Sequence, residues 1–270
     1  MRWLYGLWLL CQALAGQAQS DPFPTIAVAY WLETDGVPVW SRQADRQLPP
    51  ASLTKMMTAL LALEQAARAN ATHAVVVRVS KAAALETGSR IALKAGEQMT
   101  AENLLAATLI ASANDACRAL ADHLAGDQIR FVQQMNLRAR QLGMFKTHFS
   151  NACGHDAPQH FSSARDLALL AHALMQHSQA LELSRQAERR IATVDGRRSF
   201  VLKNTNALIG RYDGAQGLKT GRTALAGNCL VALAQRGQTK VLLVLLKGKN
   251  RWWDAVDVLD LAFARATPSR

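Results

Sequence analysis

Predicted β-strands lie at both ends of this chain, and predicted helices fill the middle. The apolar residues 26–32 and 37–41 flank the turn Thr34-Asp35-Gly36, a pattern typical of a β-hairpin. Helical patterns follow at residues 51–69, 101–110, 114–124, 127–142, 164–176 and 252–264, and further strand patterns at 75–79, 218–223, 228–234 and 241–247. Residues 193–202 have β character around an Asp195-Gly196 turn. Two sets of strands separated by helices predict an α+β fold, in which an antiparallel sheet formed from both termini is flanked by helices and carries an inserted helical lobe.

We expect residues 21–270, which follow the N-terminal segment, to form a single domain. Half of the 270 residues are hydrophobic, which allows a substantial core. The closing helix carries one apolar stripe, formed by Trp252, Val256, Leu259 and Phe263. Its polar positions hold aspartates rather than the Lys and Arg of a membrane-surface helix, so we expect it to pack against the sheet.

The first twenty residues have the three-part layout of a secretory signal peptide. Arg2 gives a basic start, residues 4–14 are largely apolar, and small residues allow cleavage after Ala18 or Ser20. An uncleaved anchor is the alternative, but the apolar stretch is too short to span a bilayer well. We therefore expect residues 1–20 to be removed and the mature chain to be exported, to a periplasm or the extracellular space, without a stable membrane anchor.

Three cysteines, Cys117, Cys153 and Cys229, remain in the mature chain, and none lies in a C-x-x-C motif. Three thiols cannot all pair with one another. Buried, unreactive thiols are therefore the default expectation, and a single disulfide stays possible in an oxidising compartment.

The chain carries 31 basic and 20 acidic residues, a formal net charge of +11, or +10 once Arg2 is removed (30 minus 20). The basic residues are scattered and no aromatic-and-basic strip accompanies them, so together with export they argue against a nucleic-acid partner. A cell-wall polymer rich in carboxylates fits the charge, and a merely solvated basic surface fits it equally well.

Three short motifs occur in the order S-x-x-K, S-x-N and K-T-G, a set found in penicillin-binding proteins and class A β-lactamases. Each alone is a weak pattern, but each lies in the predicted context that its role requires. The three motifs sit at a helix start, in an inter-helix loop and on a strand: Ser52-Leu-Thr-Lys55, Ser112-Ala-Asn114 and Lys219-Thr-Gly221.

The first motif has the residue types and spacing of a serine nucleophile with an adjacent base. A spacing of three residues on a helix places Ser52 and Lys55 on one face, and the helix start favours developing negative charge. A serine hydroxyl needs a base to become a nucleophile. Lys55 can be that base if burial and a neighbouring cation lower its pKa, and we expect Lys219 to be the cation.

The remaining motif residues suggest a proton relay and a substrate-binding strand. Ser112 can pass a proton to a leaving amine, and Asn114 can hold an amide of the substrate. Lys219 and Thr220 can bind a carboxylate.

The chain resembles the D-alanyl-D-alanine carboxypeptidases among the low-molecular-mass penicillin-binding proteins. The segments that carry the resemblance are residues 50–58, 112–117, 162–167 and 213–227, and it extends over roughly residues 23–265. It implies a serine β-lactamase/penicillin-binding transpeptidase-like fold. It also implies removal of the terminal D-Ala from peptidoglycan stem peptides, covalent inhibition by β-lactams, and no cofactor or metal.

The resemblance also assigns roles to residues. Ser52 forms the acyl-enzyme, Lys55 is the general base, and Ser112 assists proton transfer. The substrate-binding residues are Asn114, Lys219, Thr220, Gly221 and Arg222, and the backbone amides of Ser52 and Arg222 form the oxyanion hole.

The sequence departs from the family pattern at three places. Residues 151–156, Asn-Ala-Cys-Gly-His-Asp, replace a more usual His-Gly-Leu-Asp pattern at the rim of the cleft. Arg222 stands where relatives often carry His or another residue, and we expect it to hold the terminal carboxylate of the substrate. Many relatives continue into a β-rich second domain and an amphipathic anchor, and we expect neither in this chain.

Four alternatives stay open beside the carboxypeptidase. A β-lactamase needs a Glu to activate the deacylating water, and no E-x-x-L-N stretch lies between the second and third motifs. A D,D-endopeptidase would share all the motifs. A metallopeptidase would need a ligand cluster, but His148, His155 and His160 with Asp156 form no H-E-x-x-H pattern. A catalytically silent peptidoglycan-binding protein would not need an intact first motif.

Overall fold

Both ends of the chain contribute strands to one antiparallel sheet. The computed structural model describes residues 21–69 and 75–266, so the proposed signal peptide lies outside the described residues. The sheet has five strands in the order β2-β1-β9-β8-β7. Their bounds are β1 Ala27–Thr34, β2 Val37–Arg42, β7 Ala215–Thr223, β8 Gly227–Arg236 and β9 Thr239–Gly248.

The turn between β1 and β2 forms as the sequence predicts. Asp35 and Gly36 both have positive φ, 52° and 78°, as a tight hairpin turn matched to the twist of the strands requires. Asp35 also connects the hairpin to the neighbouring strand, because its carboxylate accepts from the amide of Lys240 at 2.7 Å.

The central strand β9 is buried on both faces, which explains its unbroken apolar run. Leu243 and Leu245 point to the side covered by the closing helix α8 (Arg251–Ala266). Val244 and Leu246 point to the helical lobe on the other side. The prediction that the closing helix packs against the sheet is confirmed, since Leu259 and Phe263 lie in the same cluster as Leu243.

The helical lobe is inserted between β2 and β7, and its interior is packed with apolar side chains such as Leu60, Leu104 and Phe131. Its helices are a 3₁₀ turn Ala51–Thr54, α1 Lys55–Arg68, α2 Lys81–Ala84, α3 Ala101–Leu109, α4 Asn114–Ala125, α5 Gln128–Gln141, α6 Ala164–Met175 and α7 Ser178–Ser184. Two small antiparallel two-stranded sheets complete it, β3 Val76–Arg78 with β4 Gln98–Thr100 and β5 Glu188–Ala192 with β6 Ser199–Lys203. Among the described residues, no helix is long and apolar enough to cross a membrane.

Two expectations need correction. Residues 193–202, predicted to have β character around an Asp195-Gly196 turn, form the turn and most of the second strand of the β5–β6 hairpin, and the first strand, Glu188–Ala192, lies before the predicted segment. The default expectation of free thiols is wrong for Cys117 and Cys153, which form a disulfide with a Cα–Cα distance of 5.9 Å. Cys229 is a free, buried thiol.

Candidate active site

The first motif lies where the helical lobe meets the sheet. Ser52 is in the 3₁₀ turn that leads directly into α1, so the predicted helix start has a tighter first turn. Lys55 follows one turn later, and its Nζ lies 3.0 Å from Ser52 Oγ. The predicted contact between these two side chains is present.

Lys55 is fully buried, and three oxygens surround its amine. Besides Ser52 Oγ, these are Asn114 Oδ1 and the carbonyl oxygen of Cys153, each 2.6 Å from Nζ. A neutral amine has two N–H groups and one lone pair. It can therefore donate to the amide and the carbonyl and accept from the serine hydroxyl, which is the arrangement a general base requires.

Burial lowers the pKa of Lys55 to about 7, although the carboxylates of Glu86 and Asp115 act in the opposite direction. Burial, followed by the charge of Lys55, also lowers the pKa of Lys219 well below its ordinary value, and the repulsion between the two amines is mutual. Of the two causes that the sequence predicted, burial and a neighbouring cation, burial is the larger for both amines.

The second and third motifs meet on the far side of the cleft. Lys219 Nζ donates to Ser112 Oγ at 2.8 Å and to the carbonyl of Thr220 at 2.9 Å. Ser112 has a positive φ of 57° in the break between α3 and α4, a conformation that costs a non-glycine residue energy and persists where surrounding contacts enforce it. Two serine–lysine pairs thus face one cleft.

Asn114 contacts the protein rather than open space. Its Oδ1 accepts from Lys55, and its Nδ2 donates to the carbonyl of Thr87. The side chain therefore orients the amine of Lys55 in this structure, and its contact with a substrate amide stays a prediction.

The K-T-G motif lies on β7, an edge strand of the sheet. Gly221 packs close to the 3₁₀ turn Ala51–Thr54, which we call the nucleophile turn, and an added Cβ would lie 3.0 Å from the amide nitrogen of Ser52. Only glycine fits there without a shift, which explains the last residue of the motif. Thr220 Oγ1 lies 2.7 Å from Thr205 Oγ1, and Arg222 is exposed at the end of the strand.

Sequence reasoning missed two residues that support this strand. Arg251 Nη1 donates to the carbonyl of Gly221 at 2.8 Å, and burial followed by the charge of Arg222 lowers the pKa of its guanidinium. Thr205 reaches Thr220 from the segment after β6. Neither belongs to a motif, so only the folded chain reveals them.

Residues 151–156, which we call the rim loop, close one side of the cleft. Asn151 Oδ1 accepts from the amides of Cys153, Gly154 and His155 at 3.2, 2.7 and 3.0 Å, and so fixes the turn of the loop. Asp156 accepts from Thr223 Oγ1 at 2.6 Å, at the end of β7. The residues that depart from the family pattern therefore form a hydrogen-bonded loop along one side of the cleft.

The histidines near the cleft have partners other than a metal. His155 Nε2 lies 2.7 Å from Glu86 Oε2. His160 lies between Thr54 Oγ1 at 2.8 Å and the amide of Ser150 at 2.9 Å. Within residues 21–69 and 75–266, no group of three or more His, Cys, Asp or Glu side chains could hold a metal ion.

A serine hydroxyl at a helix start, a buried amine on either side of the cleft and an adjacent sheet edge together define a class. The protein is a serine enzyme of the fold shared by penicillin-binding proteins and β-lactamases. Comparison with known proteins narrows this class: residues 27–250 match the model of the family described as D-alanyl-D-alanine carboxypeptidase. The chain belongs to this family.

Individual relatives carry the same name as the family. The D-alanyl-D-alanine carboxypeptidase DacF of Bacillus subtilis is 34% identical over 272 residues, covering 97% of this chain and 70% of that protein. The enzyme DacC of Escherichia coli is 36% identical over 255 residues, covering 90% of this chain and 62% of that protein. The chain thus spans between three-fifths and three-quarters of the length of these two relatives.

The fold prediction is confirmed by a solved structure. The DD-transpeptidase of Streptomyces K15 superposes with a TM-score of 0.84 at 30% sequence identity, covering 91% of this chain and all of that one.

Proposed function

We propose that this protein is a serine-type D-Ala-D-Ala carboxypeptidase, which removes the terminal D-Ala from peptidoglycan stem peptides through an acyl-enzyme on Ser52. The observation that carries the proposal is the environment of Lys55. Its amine lies 3.0 Å from Ser52 Oγ, and its other two contacts are uncharged acceptors. An amine with a pKa of about 7 is half neutral at physiological pH, as an efficient general base should be.

The proposed reaction has two stages. Lys55 takes the proton of Ser52 while the hydroxyl oxygen attacks the carbonyl carbon of the penultimate D-Ala. The negative charge on the carbonyl oxygen is stabilised by the backbone amides of Ser52 and Arg222. The C–N bond then breaks as the departing amine receives, through Ser112, the proton that Lys55 took from Ser52, and D-Ala leaves. Water hydrolyses the ester in the second stage and restores Ser52.

Substrate binding is proposed for the open edge of β7. A peptide can lie along this edge as an added strand, because the edge offers backbone donors and acceptors next to Ser52. Lys219, Thr220 and Gly221 would line the bound peptide, and the exposed guanidinium of Arg222 would hold its terminal carboxylate. We expect Arg222→Ala to raise the KM for a pentapeptide, and an unchanged KM would remove Arg222 from this role.

The compartment and the partners are part of the proposal. Residues 1–20 would act as a signal peptide and direct the chain to the periplasm or the extracellular space. The partners would be peptidoglycan stem peptides as substrates and β-lactams as covalent inhibitors. The family match and the named relatives favour terminal cleavage over the endopeptidase and silent-binder alternatives.

A fluorescent penicillin and a pentapeptide ending in D-Ala-D-Ala test the proposal together. The wild type should be labelled covalently and should release free D-Ala, and Ser52→Ala should lose both activities by about 10⁴-fold or more. Ser178→Ala, an exposed serine at the start of α7, is the matched control and should behave as wild type. Labelling that persists in Ser52→Ala would refute the assignment of the nucleophile. A wild type that neither labels nor releases D-Ala would support the silent binder, and cleavage of cross-linked dimers alone would support the endopeptidase.

A further inference from the structure

We infer that the disulfide between Cys117 and Cys153 is a positioning element for the general base, because it fastens the rim loop to α4 and holds the Cys153 carbonyl against the amine of Lys55. The inference rests on the proposed acylation of Ser52. It concerns two residues that belong to none of the three motifs.

The crosslink joins the two segments that supply uncharged acceptors to Lys55. Cys117 lies on α4 one turn after Asn114, whose Oδ1 is 2.6 Å from the Lys55 amine. Cys153 is in the rim loop, and its own carbonyl oxygen is the second acceptor, also at 2.6 Å. The two cysteines are 36 residues apart in the chain, so the disulfide fixes the spacing of acceptors that sequence proximity does not.

The rim loop also contacts the other two motif segments, so its position affects the whole cleft. Thr58 of α1 donates to the carbonyl of Ala152 at 2.7 Å. Gly154 lies against the nucleophile turn, where an added Cβ would be 2.0 Å from the carbonyl oxygen of Ala51. Asp156 accepts from Thr223 beyond the K-T-G motif. The disulfide adds the one covalent link between this loop and the helix that carries Asn114.

The loop also keeps water away from the base. Residues 151–154 are buried, as is Lys55, and burial is the largest cause of the lowered pKa of Lys55. The charged groups that act on this amine are the carboxylates of Glu86 and Asp115, and Lys219 faces it across the cleft. A loop freed from α4 would admit water to the amine, which would then hold its proton more tightly.

The test measures the rate constant of Ser52 acylation by a fluorescent penicillin between about pH 5 and pH 9. In the wild type the rate should rise with pH and reach half its maximum near pH 7, because the neutral amine is the active form. In Cys117→Ser/Cys153→Ser the rising limb should move up by about one pH unit, and the rate at neutral pH should fall about tenfold.

Single variants sharpen the test. Cys117→Ser and Cys153→Ser each break the same crosslink, so each should reproduce the double variant, whereas independent packing effects would add up. Cys229→Ser removes the free thiol and should leave the pH profile unchanged. Circular dichroism at the assay temperature checks that each variant is folded.

The possible outcomes separate a failure of the inference from a failure of the proposed function. Folded variants with the wild-type rate and pH profile would overturn the inference and leave the proposed function intact. Variants that lose the fold would also overturn it, since the disulfide would then hold the whole lobe together rather than position the base. A wild type that penicillin does not label would overturn the proposed function itself.

Discussion

Both buried lysines of the cleft have only uncharged hydrogen-bond acceptors among the described residues. Lys55 contacts a hydroxyl, an amide oxygen and a carbonyl, and Lys219 contacts a hydroxyl and a carbonyl. A carboxylate in direct contact would hold the proton on either amine, because an opposite charge favours the charged form. Uncharged acceptors fix the position of the amine without opposing deprotonation. The site therefore combines precise placement with a proton that can move.

His160, which contacts Thr54 of the nucleophile turn, is also a buried titratable group with uncharged hydrogen-bond partners. Its environment leads to a prediction about acid stability. The amide of Ser150 donates to Nδ1, and Thr54 Oγ1, which donates to the carbonyl of Ala51, accepts from Nε2. Both ring nitrogens are used in the neutral form, and protonation of Nδ1 would break the contact with Ser150. Burial, with the nearby His148 and His155, lowers the pKa of His160 to about 4.

Because the unfolded chain binds this proton near pH 6.5, the folded state loses stability as the pH falls from about 6.5 towards 4. We expect the free energy of unfolding of the wild type to fall between pH 7 and pH 5 by about 2 kcal/mol more than that of His160→Gln. Urea unfolding at the two pH values measures the difference. Equal losses in the two proteins would show that His160 does not titrate as described.

At the scale of secondary structure, the sequence predicts most long elements and few short ones. The hairpin turn at Asp35-Gly36, the closing helix and the strand of the third motif all lie where the pattern places them. The short helix Lys81–Ala84 and the strand Gln98–Thr100 were missed because three or four residues are too few to show a period.

Some contacts of the candidate site could likewise be predicted from the sequence, and others could not. The contact between Ser52 and Lys55 follows from spacing on one helix and could be predicted. The pairing of Cys117 with Cys153 could not be chosen among three thiols by counting alone. The bond from Arg251 to the carbonyl of Gly221 joins two segments that carry no common pattern, so only the folded chain reveals it.

The rim loop and the nucleophile turn form one packed unit, which Gly154→Ala should disrupt. The glycine has a φ of 90°, and an added Cβ would lie 2.0 Å from the Ala51 carbonyl oxygen and 2.9 Å from the Ser52 amide nitrogen. The turn that carries Ser52 would have to move, and a displacement of about 1 Å can cost about 100-fold in rate. We expect at least that loss in the rate of penicillin acylation.

Gly196→Ala is the matched control for this variant. Gly196 also has a positive φ, 70°, but an added Cβ would meet no atom within 4 Å. It therefore carries the same kind of backbone strain without the collision, and its acylation rate should stay within about twofold of wild type. If the two variants lost the same activity, strain alone would explain the effect and close packing at Gly154 would not.

At the scale of the molecule, the cleft lies on the boundary between the helical lobe and the sheet. Ser52, Lys55 and Ser112 belong to the helical lobe, whereas Lys219 lies on the edge of the sheet. The lobe packs on one face of the sheet through one apolar cluster, and α8 covers the other face through a second. The catalytic geometry therefore depends on how the lobe sits on the sheet, and the rim loop connects the two beside the site through the bond from Thr223 to Asp156.

The net charge of +11 acts over the whole surface and gives the last prediction. Peptidoglycan carries many carboxylates, and attraction between a basic protein and an anionic polymer is weakened by salt, with a screening length of about 8 Å at 0.15 M. We expect the fraction of protein that sediments with purified peptidoglycan to fall severalfold between about 0.05 and 0.5 M NaCl. Release of D-Ala from a small soluble pentapeptide should change by less than about twofold over the same range, because its binding depends on contacts inside the cleft.

Peptidoglycan with amidated carboxylates is the control for this attraction, since amidation removes the negative charge and leaves the polymer mesh in place. The protein should then sediment weakly at every salt concentration. Salt-independent sedimentation would mean that specific contacts, rather than net charge, hold the protein to the polymer. A parallel salt effect on the soluble peptide would instead locate the electrostatic contribution within the cleft, where Arg222 is the exposed cation beside the third motif.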